Sequence, residues 1–283
     1  MRKIAKILQG QPTMEGAGVR LKRVFGYHEV PLFDPFLLLD HFGSDNPDDY
    51  LAGFPWHPHR GIETVTYMLA GIVEHGDSLG NTGMIRSGDV QWMTAGNGII
   101  HQEMPQKYDG FMNGFQLWVN LPASHKMMEP RYRDITQAQI PEVELNQNTK
   151  IKVISGEVQD IQGPVQDIII DTEYLDVTLS PGATFEHQVK TEYNAFVYVF
   201  EGRGYFDPDN TTEVEKEHLV LFQKGDSVKI TATAETLRFL FVAGKPINEP
   251  VAWQGPIVMN TQAELAQAFE EYRNGTFIKH NRK

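Results

Sequence analysis

The hydrophobic positions of this chain come in short runs, alternating or β-branched, that end in glycine turns. Ile62, Thr64, Val65, Thr66, Tyr67 and Met68 lead into Leu69-Ala70-Gly71, a mixture that suits a pleated, half-buried surface. Asp89-Val90-Gln91-Trp92-Met93 alternates, and Thr94-Ala95-Gly96-Asn97-Gly98 turns the chain tightly into Ile99-Ile100-His101. Phe115-Gln116-Leu117-Trp118-Val119-Asn120-Leu121 reads as another strand. So does the apolar run Phe36-Leu37-Leu38-Leu39; Asp40 and His41 at its end could reach a pocket, but are read as a solvated strand end. Gly16-Ala17-Gly18 is a turn between strands, because a dinucleotide fingerprint needs a further glycine and a surrounding βαβ pattern. Regular segments that are all short and β predict a sandwich or barrel.

Residues 131 to 149 are polar and predict a linker. Beyond it the β rhythm resumes in Ile151–Ile154, Leu175–Leu179, Phe196–Phe200, Leu219–Phe222 and Leu237–Val242. The halves echo each other: Leu69-Ala70-Gly71 precedes Ser87-Gly88-Asp89, as Phe200-Glu201-Gly202 precedes Lys224-Gly225-Asp226. The expectation is a mainly β chain of two tandem barrels, residues 1–135 and 136–283. Thr261-Gln262-Ala263-Glu264 then reads as a capping box, with Leu265, Phe269 and Tyr272 on one face and Gly275 as the stop. A single helix docked on a β body is predicted there.

A length of 283 residues suits two domains. The net charge of −12 repels phosphate backbones, which argues against direct nucleic-acid binding but leaves a protein partner open. The absence of cysteine removes disulfides, thiolate ligands and redox thiols together, consistent with a reducing compartment. No stretch approaches the ~20 apolar residues of a membrane helix. The basic start, Met1-Arg2-Lys3-Ile4, lacks the apolar run of a signal peptide and reads as a first strand. A cytoplasmic monomer with no membrane contact is expected.

The chemistry concentrates between Phe54 and Glu103. Alternation places His57 and His59 on one strand face, and His101 and Glu103 on one face of another. Two such strands facing each other deliver three imidazoles and a carboxylate to one point, a donor set for a divalent metal that keeps positions open. Glu63 shares the parity of His57 and His59 and competes for the carboxylate role. Without cysteine, a thiolate zinc site is excluded. Pro55 and Pro58 stiffen the first strand and weaken its pairing, as at a barrel mouth. In the second half His187 stands upstream of Gly202 roughly where His59 stands upstream of Gly71, but position 189 is Val and no histidine follows Gly225 until His280, so that half has no equivalent ligand set. His28, His75, His125, His218 and His280 read as ordinary surface residues.

His57-Pro58-His59 with Glu63 and Gly71 resembles the first cupin motif, and Gly88 through Thr94-Ala95-Gly96 to His101 resembles the second. Thr94 replaces the usual proline and the histidine comes two residues late. Both departures resemble the pirin family. So do Asp34-Pro35-Phe36-Leu37-Leu38-Leu39-Asp40, Phe54-Pro55-Trp56-His57-Pro58-His59-Arg60-Gly61, His101-Gln102-Glu103-Met104-Pro105 and Gly255-Pro256-Ile257-Val258-Met259-Asn260-Thr261. The resemblance runs from near residue 16 to near 275.

It implies two jelly-roll-type cupin barrels with one metal per chain, in the first barrel. The implied ligands are His57, His59, His101 and Glu103, which takes the acidic position away from Glu63. The implied metal is Fe(II), with Ni, Cu, Mn, Co and Zn left open by the affinity order of such sites. The implied activity is that of a quercetin 2,3-dioxygenase, which uses O2 to open a flavonol's central ring and release CO. Glu103 would be ligand and base in one, and Phe54 and Trp56 would stack on the flavonol rings. The alternative is a redox- or metal-sensing regulator acting through a protein partner, nuclear in a eukaryote.

Overall fold

A computed structural model describes residues 1–279; His280 lies outside the described residues. The fold is mainly β, in two compact units, with the helix Gln262–Arg273 near the end of the chain. One unit comprises Gln11–Leu32, Phe36–Gln137 and the chain from Ile247 onward; the other comprises Met1–Gly10, Phe33–Pro35 and Ala138–Pro246. This differs from a linear division at 135/136. The strand Ile4–Gln9 pairs with His218–Phe222 in the sheet of the later unit, and the terminal helix belongs to the earlier one.

The unit centred on residues 36–137 pairs a seven-stranded sheet with a four-stranded one. The larger runs Arg131–Ile135, Val90–Thr94, Ile62–Ala70, Met112–Asn120, Phe36–Ser44, Val19–Phe25 and Gln11–Glu15. The smaller runs Phe54–His59, Ile99–Pro105, Ile72–Asp77 and Thr82–Arg86. Burial along Ile99–Pro105 alternates strictly, with Ile99, His101, Glu103 and Pro105 inward. Phe54–His59 is an edge strand, where Pro55 and Pro58 cost no ladder hydrogen bonds.

Val19, Tyr50, Met68, Val73, Ile85 and Met112 form one apolar cluster of this unit, and Leu37, Ile62, Met93, Ala95, Ile99 and Val258 another. The helix begins on the expected capping box: Thr261 Oγ1 accepts from Glu264 N at 3.2 Å, and Glu264 Oε2 accepts from Thr261 N at 2.9 Å. It buries Leu265 and Ala268 against the hairpin Ala252–Gln254/Ile257–Met259, and Tyr272 stays exposed.

The other unit repeats the pairing of seven strands with four, as the sequence echo predicts. Its interior is packed with apolar side chains such as Val153, Leu175, Val197, Phe206, Val228 and Phe239. His187 is held at its wall, stacked on Phe185 and bonded to Glu173 at 2.6 Å. Residues 131–149, expected as a linker, instead carry two strands, Arg131–Ile135 and Glu142–Asn146, each pairing along one side only. Edge strands tolerate polar sequence because they bury little.

Candidate metal centre

The two strands that carry the histidines pair directly, with His101 opposite His57 and Ile99 opposite His59. The three imidazole rings lie with centroids 4.4 to 5.0 Å apart, and their donor nitrogens all fall within 4.8 Å of one another. His59 and His101 are buried, whereas His57 is half-buried. Burial, reinforced by the neighbouring imidazoles, pushes the pKa of His59 and His101 well below the usual histidine range, so both stay neutral.

Backbone carbonyls select the tautomers. His57 Nδ1 lies 2.9 Å from Pro55 O and His59 Nδ1 lies 3.1 Å from Pro256 O. A carbonyl only accepts, so each Nδ1 carries a proton, and His59, kept neutral by burial, presents a lone pair at Nε2. Those two Nε2 atoms face each other at 3.1 Å. Both nitrogens of His101 are buried without a hydrogen-bond partner among the described residues. Three converging imidazoles, one of them with both nitrogens unsatisfied, suit a divalent cation.

Glu103 sits two positions along from His101, past a register shift, and is buried. Its Oε1 is 2.9 Å from Thr66 Oγ1, and its Oε2 accepts from Gln116 Nε2 at 3.2 Å. Burial pushes its carboxyl up, against the opposing pull of His57 and these hydrogen bonds. Thr66 and Gln116, directly opposed in the large sheet, were not singled out from sequence; polar side chains at inward strand positions were the available signal. Glu63 is fully buried on the opposite face of its strand from Thr66, and its Oε1 accepts from Thr94 Oγ1 at 2.5 Å.

Two expectations need correction. His75 is no surface residue: it is 2% exposed, opposes Glu103 in register, and bonds Tyr132 Oη at 2.6 Å. Asp40 is not solvated either. It is 5% exposed and takes a two-point grip from Arg23, Nε to Oδ1 at 2.9 Å and a terminal nitrogen to Oδ2 at 2.8 Å. Burial pushes its carboxyl up to about 6, against the pull of Arg23.

A cavity of about 480 Å³ opens onto this centre. His57, His59, Glu103, Thr66, Gln116 and Asp40 contribute to its lining. Aromatic rings supply much of the rest, Phe54 among them, while Trp56 is 53% exposed and does not line it. Trp118 meets His59 edge-on at 5.1 Å and lies tilted against Trp253 at 5.8 Å. The chain after Ile247 adds Trp253 to Pro256 to the lining. Lys126 Nζ donates to Gly61 O, Asn120 Oδ1 and Val258 O at 2.8 to 3.0 Å, and Arg60 bonds Glu271 at 2.7 Å and Phe277 O at 2.8 Å.

Two barrels in one chain, with a converging histidine cluster found among the described residues of one, define a bicupin with a candidate metal site. The family model described as Pirin matches residues 18–119, and that of the Pirin C-terminal cupin domain matches residues 174–278. A pirin-like protein of Caulobacter vibrioides is 46% identical over 98% of this chain and 99% of its own. Pirin-like protein 2 of Arabidopsis thaliana is 44% identical over 97% of this chain and 85% of its own. The crystal structure of a quercetin 2,3-dioxygenase from Acinetobacter baumannii superposes with a TM-score of 0.91 at 33% identity, covering 98% of each chain. The chain belongs to the pirin family. Among the described residues no helix is long and apolar enough to cross a membrane.

Proposed function

We propose that this protein is a metal-dependent quercetin 2,3-dioxygenase, with His57, His59, His101 and Glu103 as ligands of one divalent metal, Fe(II) by preference. The observation that carries the proposal is the convergence of donor nitrogens of His57, His59 and His101 within 4.8 Å beside an aromatic-lined cavity, with both nitrogens of His101 lacking a partner among the described residues. The likeness to the Acinetobacter baumannii enzyme supports the substrate class, a flavonol with O2 as co-substrate.

The bound metal would supply Lewis acidity, lowering the pKa of the flavonol 3-hydroxyl. Glu103 accepts that proton at a carboxylate oxygen, its basicity enhanced by burial and its position fixed by Thr66 and Gln116. Trp118 and Phe54 hold the substrate rings and keep water from the reacting carbon atoms. The net reaction takes up one O2, opens the central ring and releases CO.

Elemental analysis of the purified protein, followed by loss of flavonol absorbance with matching O2 uptake, tests this. His101→Ala is expected to abolish both metal content and turnover. Iron-loaded protein that leaves quercetin unchanged over hours refutes the activity.

A further inference from the structure

The cavity wall opposite Glu103 is a rung of polar side chains laid straight across the large sheet. Arg23 opposes Asp40, Asp40 opposes Gln116, and Gln116 opposes Thr66, so all four point to one face. Each of them lines the cavity. On one side of the rung the wall is apolar through the opposed pair Leu38 and Trp118; on the other it is apolar through Phe42 and Met112. The cavity therefore has a polar waist between two apolar slots, with Glu103 bonded at the waist and His59 against Trp118 of one slot.

Gln116 and Thr66 are committed to Glu103, but Asp40 is not. Each of its carboxylate oxygens takes one N–H from Arg23. A carboxylate offers about four lone-pair directions, so roughly two remain for a ligand. Arg23 is itself neutralised on its other side by Glu15, at 2.8 Å. The trio carries a net negative charge, which disfavours carboxylate or phosphate ligands and favours neutral hydrogen-bond donors.

We propose that Asp40 is a specificity residue of this cavity: it accepts a hydrogen bond from a second hydroxyl of a neutral polyphenol, apart from the hydroxyl that meets the histidine cluster. Arg23 is the positioning residue that holds it. The assignment rests on the oxygenase reading for the placement of the substrate, yet it concerns binding rather than turnover.

The test is anaerobic binding to the metal-loaded protein, followed by quenching of tryptophan fluorescence from Trp118 and Trp253. Two probes are compared, quercetin and 3-hydroxyflavone, which keeps the 3-hydroxyl and lacks the other hydroxyls. Wild type is expected to prefer quercetin by tenfold or more. Asp40→Leu with Arg23→Met removes both partners, avoiding a stranded buried charge, and Asp40→Asn keeps the volume. The double variant should erase the preference and Asp40→Asn should cut it severalfold, with 3-hydroxyflavone affinity within threefold of wild type throughout. An unchanged preference in both variants, or an equal loss for both probes, overturns the assignment. Selective, Asp40-dependent binding without aerobic turnover upholds it while refuting the oxygenase reading; turnover with an Asp40-independent preference does the reverse.

Discussion

Gly61 joins the histidine strand to the body of its unit, and replacing it with alanine tests how the fold holds the site. Gly61 adopts φ +78°, and a Cβ there would lie 1.9 Å from Val258 O. Alanine in this backbone region costs ~1–2 kcal/mol. Relieving the clash moves the Ile257–Met259 strand away by about 1.5 Å, enough to reach ordinary contact. That movement breaks Val258 N to Arg60 O, at 3.1 Å, and Lys126 Nζ to Val258 O, at 3.0 Å. A neutral hydrogen bond contributes ~1 kcal/mol and one from a charged donor ~1.5–3 kcal/mol. The total is about 4–6 kcal/mol, comparable with the entire stability margin of many domains.

The same shift withdraws Pro256 O from His59 Nδ1. Losing such a partner behind a ligating histidine typically costs ~10–100-fold in metal affinity. Gly80→Ala is the control, because Gly80 also has positive φ, +94°, but nothing lies within 4 Å of its Cβ position. Urea melts should show the Gly80 variant losing only the ~1–2 kcal/mol of backbone strain. Chelator competition should show its metal affinity unchanged. If Gly61→Ala melts within ~1 kcal/mol of Gly80→Ala, the steric argument is wrong. If it loses stability yet holds metal as tightly, the carbonyl does not orient His59.

Lys126→Met should destabilise by ~2–4 kcal/mol in urea melts, because three buried oxygens lose their donor while the cost of burying an ammonium is relieved. Burial lowers the Lys126 pKa to about 7, so between pH 7 and its unfolded value near 10.5 the unfolded state binds more protons; wild type should gain stability over the variant as pH rises through that window. Glu271 behaves oppositely: burial pushes its carboxyl up, but hydrogen bonds from Lys279, Arg60 and Gln267 outweigh this and hold it at about 2. Its contribution, ~1–2 kcal/mol after solvent screening, is present above about pH 4.5 and fades as pH falls toward 2, so Glu271→Gln should flatten the acid limb of the stability curve. His101→Ala should release the bound metal while raising or barely lowering the metal-free melting temperature, since without metal both of its buried ring nitrogens lack a partner; a large loss of metal-free stability would mean that the histidine is there for packing.

The parts of the fold that sequence displayed are those governed by local periodicity. Alternation in Ile99–Pro105 and the glycine turn before it placed His101 and Glu103 on an inward face, and the capping box at Thr261 placed the helix start. Polar residues buried by distant partners carry no such local mark. His75 is inward because Tyr132 meets it, and Asp40 because Arg23 does, each from a different strand of the sheets. Nothing beside either residue in the chain announces that partner. The strands within 131–149 were missed for the converse reason, since an edge strand needs a hydrophobic face less than a central one does.

The contribution of the chain's end to the site was hidden more deeply. His59 is oriented by a carbonyl at Pro256, and the turn at Gly61 is secured by another at Val258. Every residue carries a carbonyl, so no choice of side chain marks these two as functional. What does leave a trace is the room they require. Gly61 must lack a Cβ for Val258 to approach, and Lys126 must supply N–H donors to a place where three oxygens converge. The His-Pro-His motif is thus intelligible only with the glycine that follows it. The histidines provide the donor atoms, and Gly61 admits the strand whose neighbouring carbonyl fixes which nitrogen of His59 is free to bind.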